Sequence, residues 1–367
     1  MLMRKLIIYT LSCLVLFVLL LSMIFYYEGW VRPLTLNHQV TSIKVHRNSS
    51  VYHVSQTMQR RGWVLSPHFV RWVAEWQHVS HLKIGEYVVQ RGMTVAQLLR
   101  NMASAKGLTS YHITFIEGTT LKNFLARLQH DGNITHTLSS SDGKGLMRRL
   151  ANKAEKPEGL LFPDTYHFSW GTTDVVILKM AYKKMQSILQ AEWQNRAADL
   201  PYQSAYQALI AASMIQSEAS LTRERPLVSS VIVNRLRRGM RLQIDPTVMY
   251  GLGMPFGSSL SRSDLKKSSP FNTYLNRGLP PTPINMPGRS SIHAALHPAT
   301  TNYLYYVASG GRTHRFSINY RQHRSAVASY RKDQLLVEVM HQRECDAFRH
   351  VLLPHYTALL FWFFCYG

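Results

Sequence analysis

From Leu6 to Tyr27 the chain carries no charged side chain, and at about 1.5 Å per residue such a helix spans a hydrocarbon core of about 30 Å. The run ends in Tyr26, Tyr27 and Trp30, residues that suit an interfacial aromatic belt, whereas a cleaved signal peptide would have a shorter apolar stretch and a small-residue site. Residues 1–30 therefore read as a cytoplasmic stub and a retained transmembrane anchor. Arg4 and Lys5 place the N-terminus in the cytoplasm; Arg32, Lys44 and Arg47 just beyond the helix weaken that vote.

Residues 31–110 form a linker containing Pro33 and then a small alternating pattern. Val51 to Gly62 reads as a helix closed by glycine. A second helix starts at Ser66-Pro67, with Phe69, Val70, Trp72, Val73 and Trp76 expected on one apolar face. Gly85 to Val89 predicts a strand and Thr94 to Leu99 the start of another helix. This βα module resembles a LysM-type glycan-binding domain; a plain packing or spacer role fits the same pattern.

A new unit opens with a strand at Tyr111 to Ile116 and a helix at Leu121 to Leu128, and extends over residues 111–335. Asn133 to Lys156 is polar and poorly periodic. Helices are predicted over Asp174 to Gln194 and Ser204 to Ala219, after which Asp245 to Pro298 is rich in Pro, Gly, Ser and Asn. A loop-heavy stretch of that length inside a domain points to a functional surface. The fold class is α+β. Residues 336–367 form an atypical tail whose nearly uncharged run, Val351 to Gly367, is short for a second span and is expected to pack loosely or touch the membrane.

The 367 residues and 46% apolar content suffice for two folded units. Forty-two Lys and Arg against 20 Asp and Glu give a formal charge of +22, which favours anionic polymers: nucleic acid, cell wall or lipid headgroups. No zinc-ligand spacing or basic helix running into heptads supports the first, so no nucleic-acid partner is expected. Cys13 lies in the apolar run and Cys345 and Cys365 near the end, leaving the region between without thiols for disulfides or metal.

In the helix ending near Ala219, Ala208, Ala211, Ala212 and Ile215 form a stripe that Glu218 continues. A carboxyl there feels desolvation and the negative end of the helix dipole, both of which raise its pKa toward what a general acid needs at neutral pH; the bland alternative is a solvated residue past the last turn. Glycosidases that use water need a second carboxylate, but Glu224, Asp245 and Asp264 are the few acids nearby, and Asp245, before Pro246, also suits a helix cap. A one-carboxyl mechanism fits this inventory. His293, His297 and His314 show no close ligand pair on a helix face, so no metal and no cofactor are expected. There is no Gly-x-Ser-x-Gly elbow or Walker loop.

Several strings point to one family. Glu158-Gly-Leu-Leu-Phe-Pro-Asp-Thr-Tyr166, Ala212-Ser-Met-Ile-Gln-Ser-Glu218, Glu224-Arg-Pro-Leu-Val228, Asn234-Arg-Leu236 and Gly239-Met-Arg-Leu-Gln-Ile-Asp-Pro-Thr-Val248 resemble the YceG-like (MltG) endolytic murein transglycosylases. The likeness continues in Ser269-Pro-Phe-Asn-Thr-Tyr-Leu275, Gly278-Leu-Pro-Pro-Thr-Pro-Ile284, Pro287-Gly-Arg289, His297-Pro-Ala299, Tyr303-Leu-Tyr-Tyr-Val307 and His314-Arg-Phe316. It implies an inner-membrane, single-pass lytic transglycosylase with its catalytic domain outside the cytoplasm. That enzyme would cut the MurNAc–GlcNAc β-1,4 bond of peptidoglycan, leave 1,6-anhydro ends, and trim or terminate nascent strands, with peptidoglycan synthases as companions. Glu218 would be the acid/base, and Gln243, Asp245, Asn272, Tyr274 and His314, then Asp164 and Tyr166, the substrate-binding candidates. Asp164 could instead cap a turn and Tyr274 lie in the core. Three positions depart from the family pattern: Gln216 replaces a glutamate, Met286 a small polar residue and Ser309 an aspartate. The alternative is an inactive, membrane-anchored wall-binding protein.

Overall fold

The computed structural model describes residues 2–138, 143–150 and 156–334. The tail at 336–367 lies outside them. In chain order the elements are α1 (Leu2–Tyr26), β1 (Val40–Val45), α2 (Val51–Arg60), α3 (Pro67–Trp76), β2 (Gly85–Gln90), α4 (Val95–Ser104), β3 (Ser110–Thr114), α5 (Leu121–Gln129), α6 (Gly143–Leu150) and β4 (Thr165–Ser169). They continue with α7 (Asp174–Gln194), α8 (Ala205–Glu218), α9 (Arg225–Arg237), α10 (Asp245–Gly251), α11 (Arg289–Leu296), β5 (Tyr305–Ala308) and β6 (His314–Ser317). A further helix runs from 320 to at least 334. The architecture mixes helices with three two-stranded antiparallel ribbons, β1–β2, β3–β4 and β5–β6.

Two compact units are interleaved along the sequence: Met1–Thr114, Leu125–Ala151 and Thr165–Met180 form one, and Phe115–Phe124, Asn152–Asp164 and Ala181–Gly367 the other. The chain thus passes several times between the two units. α6 falls in the stretch that looked polar and aperiodic; at eight residues it is too short for its pattern to stand out.

In the first unit, β1, α2, α3 and β2 follow one another, and β1 pairs with β2 from Val40↔Gln90 to Val45↔Gly85. Alternate strand residues Ile43, Val45, Tyr87 and Val89 turn inward against Val54 and Met58 of α2, Val70 and Val73 of α3, and Leu98, Leu99 and Met102 of α4. The buried Tyr87 hydroxyl donates to the carbonyls of Lys83 (2.9 Å) and Met102 (3.1 Å), which removes the cost of leaving it unpaired. α4 opens with a capping box: Thr94 Oγ1 accepts from Gln97 N, and Gln97 Oε1 from Thr94 N.

The apolar face expected on α3 divides. Val70, Val73 and Ala74 are buried, but Trp72 and Trp76 are 61% and 73% exposed. Trp72 lies beside Phe25 at the end of α1 (6.1 Å), and Phe25 also meets Phe69 edge-on (5.2 Å). α1 itself is apolar and long enough to cross a membrane, and residues 3–24 are exposed, Phe25 near its end being the partly buried one.

Further along, Asp174 at the head of α7 accepts from Thr137 N (2.8 Å), Thr137 Oγ1 (2.6 Å), Leu138 N (2.9 Å) and Val175 N (2.7 Å). Burial alone would raise its pKa; these bonds outweigh it and hold the carboxyl below its ordinary value.

In the second unit, α8 packs against α9 and α11. Every residue from Ala208 to Ile215 is buried, so the helix is surrounded rather than striped. Gly159, in the Glu158–Tyr166 string, has φ +81° and turns its Cα against the Pro283 ring, where a Cβ would overlap. Gly253 is equally left-handed (φ +69°) but open to space. Gly253→Ala is expected to cost only the left-handed penalty of about 1–2 kcal/mol, and Gly159→Ala clearly more, because Pro283 must also give way. Thermal unfolding followed by circular dichroism compares them; equal midpoints would remove the packing argument.

Candidate active site

Glu218 is the last residue of α8, and its surroundings follow from how that helix is held. Ser204 caps the N-terminus by accepting from Gln207 N (3.3 Å). One turn near the other end is stitched to the following loop. Ser213 Oγ accepts from Ile284 N (3.1 Å), and Asn285 Nδ2 donates to Ser213 O (2.8 Å) and Ser217 Oγ (2.7 Å). Gln216 Oε1 accepts from Gly288 N (3.1 Å) and Ser291 Oγ (2.8 Å) at the head of α11. A neutral amide oxygen thus does the accepting at the position where the resemblance led a glutamate to be expected, with partners distinct from those of Glu218. Met286 is fully buried and exchanges backbone bonds with Gly118 (2.8 Å) and Thr119 (2.9 Å), so this departure concerns packing rather than sugar contact. Ser309 pairs with Thr313 in the turn between β5 and β6 (2.9 Å).

Although Glu218 keeps some exposed surface, its carboxyl is closely surrounded, and its pKa rises to about 7. Desolvation is the main cause, the negative charge of Asp245 adds to it, and a hydrogen bond from the Tyr306 hydroxyl opposes both. A carboxyl with that value is about half protonated at neutral pH, the condition under which it can both give and take a proton. The solvated alternative is thereby set aside.

Asp245 is the exposed first residue of α10 and makes no capping bond; its Oδ1 accepts instead from Tyr274 Oη (2.6 Å). Burial first, and then that bond and the negative charges of Asp245 and Glu218, push the Tyr274 pKa above the ordinary phenol value. Tyr274 is only half-buried, so it is not a core residue. Gln243 takes the left-handed conformation (φ +54°), bonds Thr273 O through its N–H (3.1 Å) and accepts from Arg235 Nη1 with its side chain (3.3 Å).

Asn272 was expected to meet substrate, but it is fully buried: its amide donates to Leu265 O (3.0 Å) and Lys267 O (2.8 Å), while its oxygen accepts from Tyr274 N (2.9 Å). It shapes the loop that delivers Tyr274. His314 donates its N–H to Glu224 Oε1 (3.1 Å), and its Nδ1 pairs with Oε2 (2.7 Å), which fixes the ring edge-on to Tyr306 (5.4 Å between centroids). Asp164 is bridged by Lys184, and Tyr166 is buried in β4 of the first unit.

Two groups were not singled out from the sequence. Tyr306, inside the Tyr303–Val307 string, bonds Glu218 and has its own pKa driven well up, by burial first and by Glu218 second. Arg235 on α9 is buried and donates to Leu304 O (2.6 Å), Arg241 O (3.1 Å) and Leu242 O (2.7 Å). It also stacks over the Tyr305 ring (5.0 Å) and acts electrostatically on Tyr274 and Tyr306. Its five donors let one side chain tie the 241–243 turn to the strand bearing Tyr306. The Asn234-Arg-Leu236 string carried the signal, but a lone arginine on a helix reads as surface charge.

A second carboxyl is also pushed up to about 7. Glu158 is buried, and desolvation outweighs bonds from Leu121 N (2.9 Å) and Tyr250 Oη (3.0 Å). Elsewhere in this unit Glu192, His293 and His297 bring their ligand atoms within 4.8 Å of one another. That corrects the expectation of no ligand pair: positions 293 and 297 are one helical turn apart, and the carboxylate comes from a residue about 100 positions earlier that spacing could not reveal.

Comparison with known proteins adds sequence likeness to this geometry. An endolytic murein transglycosylase of Bacillus subtilis (strain 168) is 28% identical over 325 residues, 83% of this chain and 89% of its own length. One from Streptococcus pneumoniae serotype 2 (strain D39) is 24% identical over 300 residues, 73% of this chain and 54% of that longer protein. The crystal structure of a YceG-like protein from Listeria monocytogenes superposes with a TM-score of 0.50 at 26% identity, covering 78% of this chain and 98% of that one. The YceG-like family pattern matches residues 43–329, a span that contains Glu218 and all the residues gathered around it, and the chain belongs to that family.

Proposed function

We propose that this protein is a membrane-anchored endolytic lytic transglycosylase of peptidoglycan, with Glu218 as its acid and base. The observation that carries the reading is a single carboxyl whose pKa of about 7 is set by desolvation, a neighbouring carboxylate and a tyrosine donor. In the first step protonated Glu218 gives its proton to the glycosidic oxygen between MurNAc and GlcNAc, and the C1–O bond breaks. The MurNAc C6 hydroxyl then closes on C1 and returns its proton to Glu218, leaving a 1,6-anhydro end. No water enters, so no second carboxylate is needed; the nucleophile is already held by the sugar ring.

Tyr306 steadies the ionised form of Glu218 between the two steps, and Asp245, oriented by Tyr274, faces the positive charge that develops at C1. Gln243 and His314 are the remaining sugar-contact candidates, and Asn272 and Arg235 position the loop and strand. The inactive wall-binding alternative loses ground because a carboxyl without a task need not be kept at so costly an address.

The β-α-α-β order of the first unit supports a LysM-like glycan-binding role for residues 31–110. α1 would cross the inner membrane, with the catalytic domain on the outer side and synthases of the nascent strand within reach. Trp72 and Trp76, exposed beside the end of α1, would then lie at headgroup depth.

Three outcomes are expected. Peptidoglycan digested by wild type should yield anhydro-ended fragments by mass spectrometry, and Glu218→Gln should reduce their rate by at least ~10²–10⁴-fold; reducing ends from wild type would refute the mechanism. Activity should fall as pH rises through about 7, because the acid form is lost. Asp245→Asn should move that fall to lower pH by removing a negative neighbour, and Tyr306→Phe should move it higher by removing a donor to the ionised form; shifts in the same direction would contradict the electrostatics. In vesicles, brominated lipids should quench tryptophan fluorescence less in a Trp72→Phe/Trp76→Phe protein than in wild type, and equal quenching would take α3 off the membrane.

A further inference from the structure

The cluster formed by Glu192, His293 and His297 plays no part in the chemistry above and shares none of the groups around Glu218. We propose that it is a binding site for a zinc-class divalent cation, joining α7 to α11.

The donor set points to that class. Two imidazoles and one carboxylate suit zinc and its borderline neighbours, whereas calcium and magnesium take oxygen ligands. Geometry agrees. His293 and His297 are four residues apart, so their rings come to the same side, with centroids 4.2 Å apart and planes inclined by 26°. His293 Nδ1 already stands 2.9 Å from Glu192 Oε2, and all three ligand atoms lie within 4.8 Å of one another. Tetrahedral zinc with bonds of about 2.0–2.1 Å needs ligand atoms roughly 3.4 Å apart, so side-chain rotation closes the site without moving either helix.

The surroundings suit a held ligand rather than a chance encounter on the surface. Glu192 retains only 14% of its side-chain exposure, and Arg289 approaches its other oxygen at 3.7 Å, leaving Oε2 turned to the histidines. The backbone already links the two elements here, since Ala197 N donates to Leu296 O (3.0 Å) just beyond the end of α7. Three protein ligands leave a fourth position for water. A cation would therefore pin the last turn of α11, the helix whose first turn receives Gln216 of α8.

The test uses the full-length protein in detergent, without a polyhistidine tag and freed of metal by a chelator. Zinc chloride titration by calorimetry is compared for wild type, His293→Ala and His297→Ala, with the exposed His38→Ala as a control for the remaining histidines. Wild type and the control should show one tight zinc equivalent that either site variant weakens at least ~10-fold. The melting temperature of wild type should rise on adding zinc, that of the site variants should not, and magnesium should have no effect on any. His293 is largely exposed, so its replacement leaves the fold intact and melting in chelator verifies this. Identical zinc isotherms for wild type and His293→Ala, or no tight equivalent in wild type, would overturn the site. Because the readout is binding and melting, it is decided separately from transglycosylase activity.

Discussion

The constraint on which the site depends is that a carboxyl must be taken out of water without being handed to a cation. In a chain of net charge +22 this is not the default, because a basic side chain near Glu218 would lower its pKa and remove the property on which its proposed role as an acid rests. The fold meets it by surrounding α8 on all sides with apolar packing and by placing a tyrosine hydroxyl and a second carboxylate next to the acid. Arg235, a buried cation of this unit, spends its donors on carbonyl oxygens and the Gln243 amide, so its charge shapes the tyrosines around the acid.

Other features serve the same arrangement. Loop 282–288 is fastened to α8 through Ser213, Gln216 and Ser217, residues that precede Glu218 along the same helix. α10 carries Asp245 at one end and Tyr250, the partner of Glu158, near the other. The two carboxyls held near 7 thus both touch this seven-residue helix or its immediate field.

Much of this was legible in the sequence where the signal is local. The long helices were readable from periodicity and caps, with α7 found residue for residue and α8 bounded by Ser204. Glu218 was visible as a polar residue continuing an apolar pattern. What was not legible depended on partners far along the chain. Asn272 has the composition of a sugar-binding residue, yet its burial follows from a loop that closes on itself. Trp72 and Trp76 share the spacing of the residues that face the core, and only the neighbouring α1 explains why they turn elsewhere. Tyr306 was one tyrosine among several in its string until pairing of β5 with β6 fixed which face it occupies.

The interleaving of the two units bears on how the chain matures during synthesis. Residues 165–180 complete a unit begun before residue 114, and residues 115–124 belong to one whose bulk starts after 181. The first unit is complete only at residue 180, after part of the second has been made, so the two units do not finish one after the other from the N-terminus as they do in tandem-domain proteins. The emerging polypeptide must stay soluble through a long incomplete stage, in which its strongly basic, mutually repelling character protects it from premature association.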